Sequence, residues 1–242
     1  RAVAAAFGAY VRDVRRESLA MGAALAGLGP FTPEQINRFL SLAGSGNPVV
    51  RSWHWIAPGG KVLASSEPNA SGLDVADRDY FKELLAGLEW TTSNLLVERA
   101  TGRPAFVVAR QVPDPHGGLL GVLAAVVDPV VVGDRAMPLP RDPHFSFVII
   151  DLAGSVVCSS RGEEDDRFDW DRIDSFLAAA PSGGEEQPAA LVVASGGEKA
   201  LVARVPIAGI GWVAGASQPV RLAIAEVYRG IWIVVALNLA VV

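Results

Sequence analysis

One cysteine, Cys158, and three histidines, His54, His116 and His144, are all that this 242-residue chain has of the softer metal-binding and disulfide-forming side chains. A single thiol cannot close an internal disulfide or build a cysteine-based metal cage. The histidines lie far apart, with no ligand spacing around them, and His116 falls in the turn composition Asp114-Pro115-His116-Gly117-Gly118. No metal and no cofactor are expected. A basic stripe is also missing. The 21 Lys and Arg are interspersed among 26 Asp and Glu, for a net charge of −5. That argues against nucleic acid as a partner, and there is no long acidic tail of the disordered kind. Catalytic signatures are absent too. The sequence has neither a Gly-x-Ser-x-Gly elbow nor a His-Glu-x-x-His helix, and its acid pairs Glu163-Glu164 and Asp165-Asp166 fall in a charged loop. Charge itself is lacking from Gly230 to Val242. Thirteen helical residues rise about 20 Å, short of the roughly 30 Å hydrocarbon core. The run is nevertheless apolar on every face, with Tyr228, Arg229 and Trp232 at its start as interfacial anchors, so a truncated membrane helix is expected. Arg1 rather than Met stands first, as in a segment taken from a longer chain.

What is present is a hydrophobic half of the composition, enough to build one large or two small cores. Residues 1–28 read as one long helix. Val3, Phe7, Tyr10, Val14, Met21, Ala24 and Leu28 fall on alternating steps of four and three, with Glu17 the discordant position. The stripe fits a helix lying on a sheet or a stalk that pairs with a second copy, so a homodimer through this helix is expected. Gly29-Pro30 stops it, and Thr32-Pro33-Glu34-Gln35 is a capping box opening a second helix. Strands are then expected at 49–57, 61–65, 91–98, 103–112 and 119–127, with a short helix over 77–88 between the second and third.

The pattern then repeats. Strands expected at 145–151, 155–160, 189–194, 199–205 and 211–217, with a helix over 169–180, follow the order of the first set. Ala64-Ser65-Ser66 matches Cys158-Ser159-Ser160. Val107-Val108-Ala109-Arg110 matches Leu201-Val202-Ala203-Arg204, and Gly121-Val122-Leu123-Ala124-Ala125 matches Gly211-Trp212-Val213-Ala214-Gly215. Internal duplication implies two similar modules in tandem, each an antiparallel sheet with helices on it. The fold class is therefore α+β, a long N-terminal helix followed by two such modules.

A long leading helix, two tandem sheets and a closing apolar helix resemble the double Cache (PAS-like) extracytoplasmic sensor domains of bacterial transmembrane receptors. The local match is Gly60-Lys61-Val62-Leu63-Ala64-Ser65-Ser66, then Asp74-Val75-Ala76-Asp77-Arg78-Asp79-Tyr80-Phe81, supported by Thr101-Gly102-Arg103-Pro104, Ala109-Arg110 and Gly121-Val122-Leu123. The resemblance implies a stalk over residues 1–30, a membrane-distal Cache module over 31–140 and a membrane-proximal one over 141–219. An exit helix over 220–242 would run into the membrane. It implies a periplasmic or extracellular sensor anchored in the cell inner membrane by flanking helices, not itself an enzyme. Its output would be a cytoplasmic module, most like that of a two-component histidine kinase. Amino-acid sensors of this kind carry an acidic residue on the last distal strand. Here Ala125-Val126-Val127 is apolar and Asp128 comes late, so a small carboxylate is the expected ligand.

Candidate ligand-binding residues are Trp53, Trp55, Arg78, Asp79, Tyr80, Trp90 and Arg110. Arg51, Trp53 and Trp55 alternate and project from one face of their strand. Arginine offers a planar fork for a carboxylate, and tryptophan and tyrosine give flat walls with one polar edge. Arg78 and Arg110 would form the clamp and Tyr80 would donate its hydroxyl. Each has a plainer reading: Trp53 and Trp55 as core, Arg110 as the partner of Asp79, Asp77 as a helix cap. A ligand-free structural or protein-binding ectodomain, and a membrane-anchored hydrolase using Ser65-Ser66 or Ser159-Ser160 with a histidine base, are the other function classes that fit.

Overall fold

The computed structural model describes residues 1–114, 116–133, 145–160, 189–195 and 198–222. Contacts divide the chain into two compact units, Ala5–Pro138 and Leu139–Val242, the latter joined by Arg1–Ala4. The helix expected over 169–180, the Gly196-Gly197 turn, His144 and the apolar run Gly230–Val242 lie outside the described residues. Among the described residues no helix is long and apolar enough to cross a membrane.

The first unit takes α1 (Ala2–Leu28) from Ala5 onward, then α2 (Pro33–Gly44). The capping box at Thr32 forms as the sequence predicts: Gln35 N–H donates to the Thr32 hydroxyl, and Thr32 N–H donates to the Gln35 side chain. Strands β1 (Val50–Ile56), β2 (Val62–Ser65), β3 (Trp90–Thr92), β4 (Leu96–Val97), β5 (Pro104–Pro113) and β6 (Leu119–Val127) follow, with α3 (Asp79–Leu85) between β2 and β3 and the single turn α4 (Pro129–Val131) at the end. The antiparallel sheet runs β2-β1-β6-β5-β3, and β4 pairs with β5 off that path. The one strand expected over 91–98 is thus two short ones.

Alternation assigns each face of this sheet. Ile56, Ala105, Val107, Ala109, Val122, Ala124 and Val126 form one core with Phe81, Leu84 and Val75 on the α3 side. The intervening residues face the other way. Phe106 meets Phe7 of α1, ring centroids 5.9 Å apart. A Cβ on Gly22 would come within 2.9 Å of a Val112 methyl, so glycine lets α1 approach β5. The buried stripe of α1 is Val3, Phe7, Val11, Val14, Ser18, Met21 and Leu25. It advances at about the 3.6-residue period of a straight helix rather than the 3.5 of a supercoil. Val11 and Leu25 take the places expected for Tyr10 and Ala24, and Leu28 is exposed. Glu17, discordant in the stripe, accepts a hydrogen bond from the Asn47 amide, 3.0 Å.

The second unit contains β7 (Ser146–Ile150), β8 (Val156–Ser159), β9 (Ala189–Ser195), β10 (Glu198–Pro206) and β11 (Val213–Pro219), in the order β8-β7-β11-β10-β9. Substituting equivalent strands gives the order of the first sheet. The duplication reaches single hydrogen bonds. Trp53 N–H donates to the Ser66 hydroxyl (2.9 Å) and Ser66 N–H to the Trp53 carbonyl (3.0 Å). Phe147 and Ser160 repeat both contacts at 2.8 and 3.0 Å. Both hairpins shift register one pair before their end, at Trp55/Ile56 and at Ile149/Ile150.

Candidate functional site

The site lies on the α3 side of the first sheet, and local sequence rules build it. The Gly60-Lys61-Val62 motif is a scaffold for the segment that follows. Gly60 turns with φ +89° while its carbonyl accepts the Val75 N–H, 2.9 Å. A Cβ there would lie 2.5–2.8 Å from Ala76 atoms, so no side chain fits. Val62 exchanges hydrogen bonds with Leu73 and Gly72, 2.8 Å each. These contacts press residues 72–78 over the edge of the sheet and deliver Arg78 to the start of α3, with Tyr80 and Phe81 turned inward. From the opposite side, the Thr101-Gly102-Arg103 turn folds residues 98–103 back. Glu98 N–H donates to the Arg103 carbonyl and Gly102 N–H to that of Glu98.

Between these segments and the sheet is a cavity of about 30 Å³. Its sheet side presents His54, Val62, Val107 and Val126; its cover presents Leu73, Val75, Arg78, Tyr80, Leu96, Glu98, Arg99 and Ala100. That volume is room for about two waters, so anything larger needs the cover to move. The cover is held by side-chain latches. Arg78 donates to the Val97 carbonyl, 2.9 Å. Arg99 forks onto both oxygens of Asp77, 2.9 and 2.6 Å, and also donates to the Asp74 carbonyl.

Charge in and beneath the cavity is closely matched. A β-bulge at Arg51, where Val50 opposes Val127 but Ser52 opposes Val126, re-aims the Arg51 side chain. Its guanidinium reaches Glu98 at 2.9 Å and Asp128 at 2.7 Å. Asp128 also takes Arg103, 3.2 Å, and caps α4 by accepting from the Val130 and Val131 amides. The Arg51 hydrogen bond and charge, with those amides, hold the Asp128 carboxyl below its usual range against the opposing effect of burial. His54 is 6% exposed, and burial pushes its ring down to about 4, Glu98 opposing weakly, so it is neutral at pH 7. Burial also raises the Tyr80 phenol to about 12. Arg78 is the cavity cation with no carboxylate partner among the described residues: Arg99 has Asp77, and Arg78 has only a backbone carbonyl.

The structure does not bring all seven sequence-derived residues together. Arg78 and Tyr80 line the cavity. Trp53 and Trp55 sit on the opposite face. Trp53 packs where a Gly44 Cβ would lie, under α2, and Trp55 beside Gly121. Trp90 and Arg110 are cross-strand partners on that same far face. The Arg15 guanidinium stacks 4.3 Å from the Trp90 ring, and Arg110 pairs with Glu89 at 2.7 Å, not with Asp79. Arg78 and Arg110 therefore do not form one clamp. Asp79 points to solvent, its side chain 92% exposed, beside Lys82. Asp77 serves Arg99 rather than capping α3, whose N-cap is Arg78 with no side-chain cap.

The residues that sequence reasoning missed are His54, Glu98 and Arg99. Strand alternation held the signal for His54: if Trp53 and Trp55 face the helices, His54 faces away from them. Glu98 and Arg99 carry no such signal, because a loop brings them in.

His54, Ser52 and Glu98 do not make a nucleophile–base–acid relay. The Ser52 hydroxyl, 3.0 Å, and the Glu98 carboxylate, 3.9 Å, approach the same ring nitrogen, Nε2. The serines considered as nucleophiles serve the backbone. Ser66 and Ser160 accept strand N–H groups, Ser65 accepts from Glu67 N–H, and Ser159 donates to the Phe147 carbonyl.

No protein-family model matches the sequence, and no curated protein does. Solved structures do. The extracellular domain of a protein named as a histidine kinase, rpHK1S-Z16, aligns over 90% of this chain and 88% of its own, at 16% identity and TM-score 0.68. The ligand-binding domain of the Campylobacter jejuni chemoreceptor Tlp3, in complex with 4-methylisoleucine, aligns over 90% and 87%, at 12% identity and TM-score 0.67. That of the Pseudomonas fluorescens chemoreceptor CtaA, in complex with L-isoleucine, aligns over 92% and 90%, at 14% identity and TM-score 0.67. With a long helix followed along the chain by two sheets of one topology, this chain has the fold of the extracellular ligand-binding domains of bacterial histidine kinases and chemoreceptors.

Proposed function

We propose that this chain is the extracytoplasmic small-molecule sensing region of a transmembrane signalling receptor of the histidine-kinase type, and that its ligand is a small carboxylate bound in the cavity of the first unit. The observation that carries the reading is Arg78, which enters an otherwise mostly apolar cavity without a carboxylate of its own. Arg78 is half-buried, and closing the pocket over it would take its guanidinium further from water, where a charge without a partner costs several kcal/mol, so the closed state calls for an anion. Its planar fork suits a carboxylate, and Tyr80 stands on the same helical turn as a hydroxyl donor. The cation is Arg78 alone, since Arg110 is neutralised elsewhere. Release of the Arg99–Asp77 and Arg78–Val97 contacts would admit the ligand, and their re-formation would close over it. The helices flanking the region would lie in the inner membrane and carry the change inward. Such signalling works only through a difference in affinity between two states, roughly 1–3 kcal/mol in typical coupled systems.

A thermal-shift series of short carboxylic acids tests this. At 100 times Kd a ligand stabilises by about 2.7 kcal/mol, roughly 5–10 °C for a chain of this size. Arg78→Ala should abolish the shift, and Arg110→Ala should leave it. A shift produced only by neutral or cationic compounds, or one that survives Arg78→Ala, would show that the reading is wrong.

A further inference from the structure

The cavity has a second polar surface that the carboxylate reading does not use. On the sheet, His54 joins Ser52 and Glu98 in a cluster in which Glu98 is 5% and Ser52 2% exposed. From the balance of charge and hydrogen bonds in this cluster we infer that the site recognises a short 2-hydroxy carboxylate, with Arg78 holding the carboxylate and His54 the hydroxyl. The inference rests on the carboxylate reading above and narrows it.

Charge comes first. Glu98 and Asp128 are two carboxylates against two guanidiniums, Arg51 and Arg103, at 2.7–3.2 Å. The cluster is therefore neutral, with His54 uncharged. An ammonium group placed here would find a carboxylate already bonded to Arg51, to Ser52 at 3.5 Å, and to the Thr101 hydroxyl. It would be a buried charge with no free counter-charge. On β6 the cavity meets Val126, which offers an ammonium no counter-charge.

Hydrogen bonding selects next. Ser52 has one proton and lies within reach of both His54 Nε2 and Glu98. If Ser52 gives its proton to Glu98, Nε2 carries the ring proton and Nδ1 is an acceptor. If Ser52 gives it to Nε2, Nδ1 is a donor. Among the described residues Nδ1 has no protein hydrogen-bond partner. A hydroxyl both donates and accepts, so it satisfies either tautomer; an ammonium only donates, and a methylene does neither. The lining agrees, since Val62, Leu73, Val75, Leu96, Val107 and Val126 offer an apolar surface for the stem beside the polar groups.

The test uses three acids of one carbon skeleton, lactate, propionate and L-alanine, titrated calorimetrically into the whole chain. Lactate should bind about tenfold more tightly than propionate, the worth of one hydrogen bond, and L-alanine more weakly than lactate. His54→Phe keeps the ring volume and removes both nitrogens; it should bring lactate and propionate to within about twofold. His54→Leu, which removes both ring nitrogens and sets an aliphatic side chain among the valines and leucines of the cavity, should do the same where His54→Phe does not fold. Equal affinity for lactate and propionate in the wild type overturns the hydroxyl assignment and leaves the carboxylate reading standing. So does a preference that survives both variants, while tightest binding by L-alanine replaces the hydroxyl with an ammonium. Failure of all three to bind overturns this inference, and failure of the wider acid series overturns the carboxylate reading as well.

Discussion

Burial of His54 ties stability to pH. Its ring titrates near 6.5 when unfolded and near 4 when folded. Between those values the unfolded chain holds the extra proton, so stability rises with pH through that window and is fully present above about 6.5. The expected loss on going from pH 7 to 4 is on the order of 3 kcal/mol from this residue. Urea denaturation at several pH values should show that slope in the wild type and not in His54→Phe; equal slopes would mean that the ring is not buried neutral. The lowered carboxyls of Asp77, Asp114 and Asp128 act below this window, since their ordinary value is already 3.8. A second contrast separates buried from surface pairs. Arg51→Met strands Glu98 and half of Asp128, and should cost roughly 3–5 kcal/mol. Asp77→Asn breaks a pair whose members are 65% and 37% exposed, and should cost at most about 1 kcal/mol. If the two variants proved equally stable in denaturant, the Arg51 network would be no more than a surface feature. Residue-level legibility was uneven for the same physical reason. Arg78 and Tyr80 sit in a local motif, and a local motif is visible in sequence. Arg51 looks like a face-mate of Trp53 until a bulge turns it, and nothing local marks that bulge.

At the scale of elements, the order of the described helices and strands followed from periodicity and turn residues, apart from the split of the strand expected over 91–98, and β6 agrees with its expected bounds, 119–127. Which face of each strand meets which helix did not follow. Alternation shows that Trp53 and Trp55 share a side, but only packing decides that this side belongs to α2. The long helix teaches the same lesson. Val14 was expected to mark a seam between two copies, yet it is fully buried within its own chain. Val14→Asp should therefore lower stability by several kcal/mol whatever the oligomeric state, because an unpaired carboxylate is forced into the core. It cannot report on pairing. Leu19, 52% exposed, can. Leu19→Asp should leave the free energy of unfolding within about 0.5 kcal/mol, so any fall it causes in a sedimentation-derived mass would belong to an interface. The Gly60 turn gives a second test. Gly60→Ala meets both the left-handed backbone and Ala76, and should destabilise by more than about 2 kcal/mol. Gly59→Ala has open space and an ordinary φ, and should be neutral or slightly stabilising. Because Gly60 also holds Val75, partial unfolding near the turn would loosen the cavity cover first.

For the whole molecule, duplication raises the question of which unit binds. Matching the hydrogen-bonded pairs Trp53–Ser66 and Phe147–Ser160 aligns β1 with β7 residue by residue. Ser52 then corresponds to Ser146, and His54 to Val148, which is 3% exposed. The second sheet thus lacks the ring that makes the first sheet's floor polar. This difference was open to sequence comparison, because both hairpins align without gaps around their paired serines. Its meaning was not, because the side of the strand that faces the cavity had first to be known. The expected outcome is spatially specific. Amide exchange measured at saturating ligand should slow at residues 51–54, 74–80 and 96–103, the floor and cover of the cavity, through added protection where the latches close. Strands β7, β10 and β11 should change less, because binding free energy is delivered where the contacts form. Slower exchange confined to β7, β10 and β11 would move the binding site to the second unit and leave His54 and Arg78 as structural residues. Protection at the first unit in the wild type, lost in Arg78→Ala while the second unit keeps its exchange pattern, would tie ligand, cavity and cation to one another.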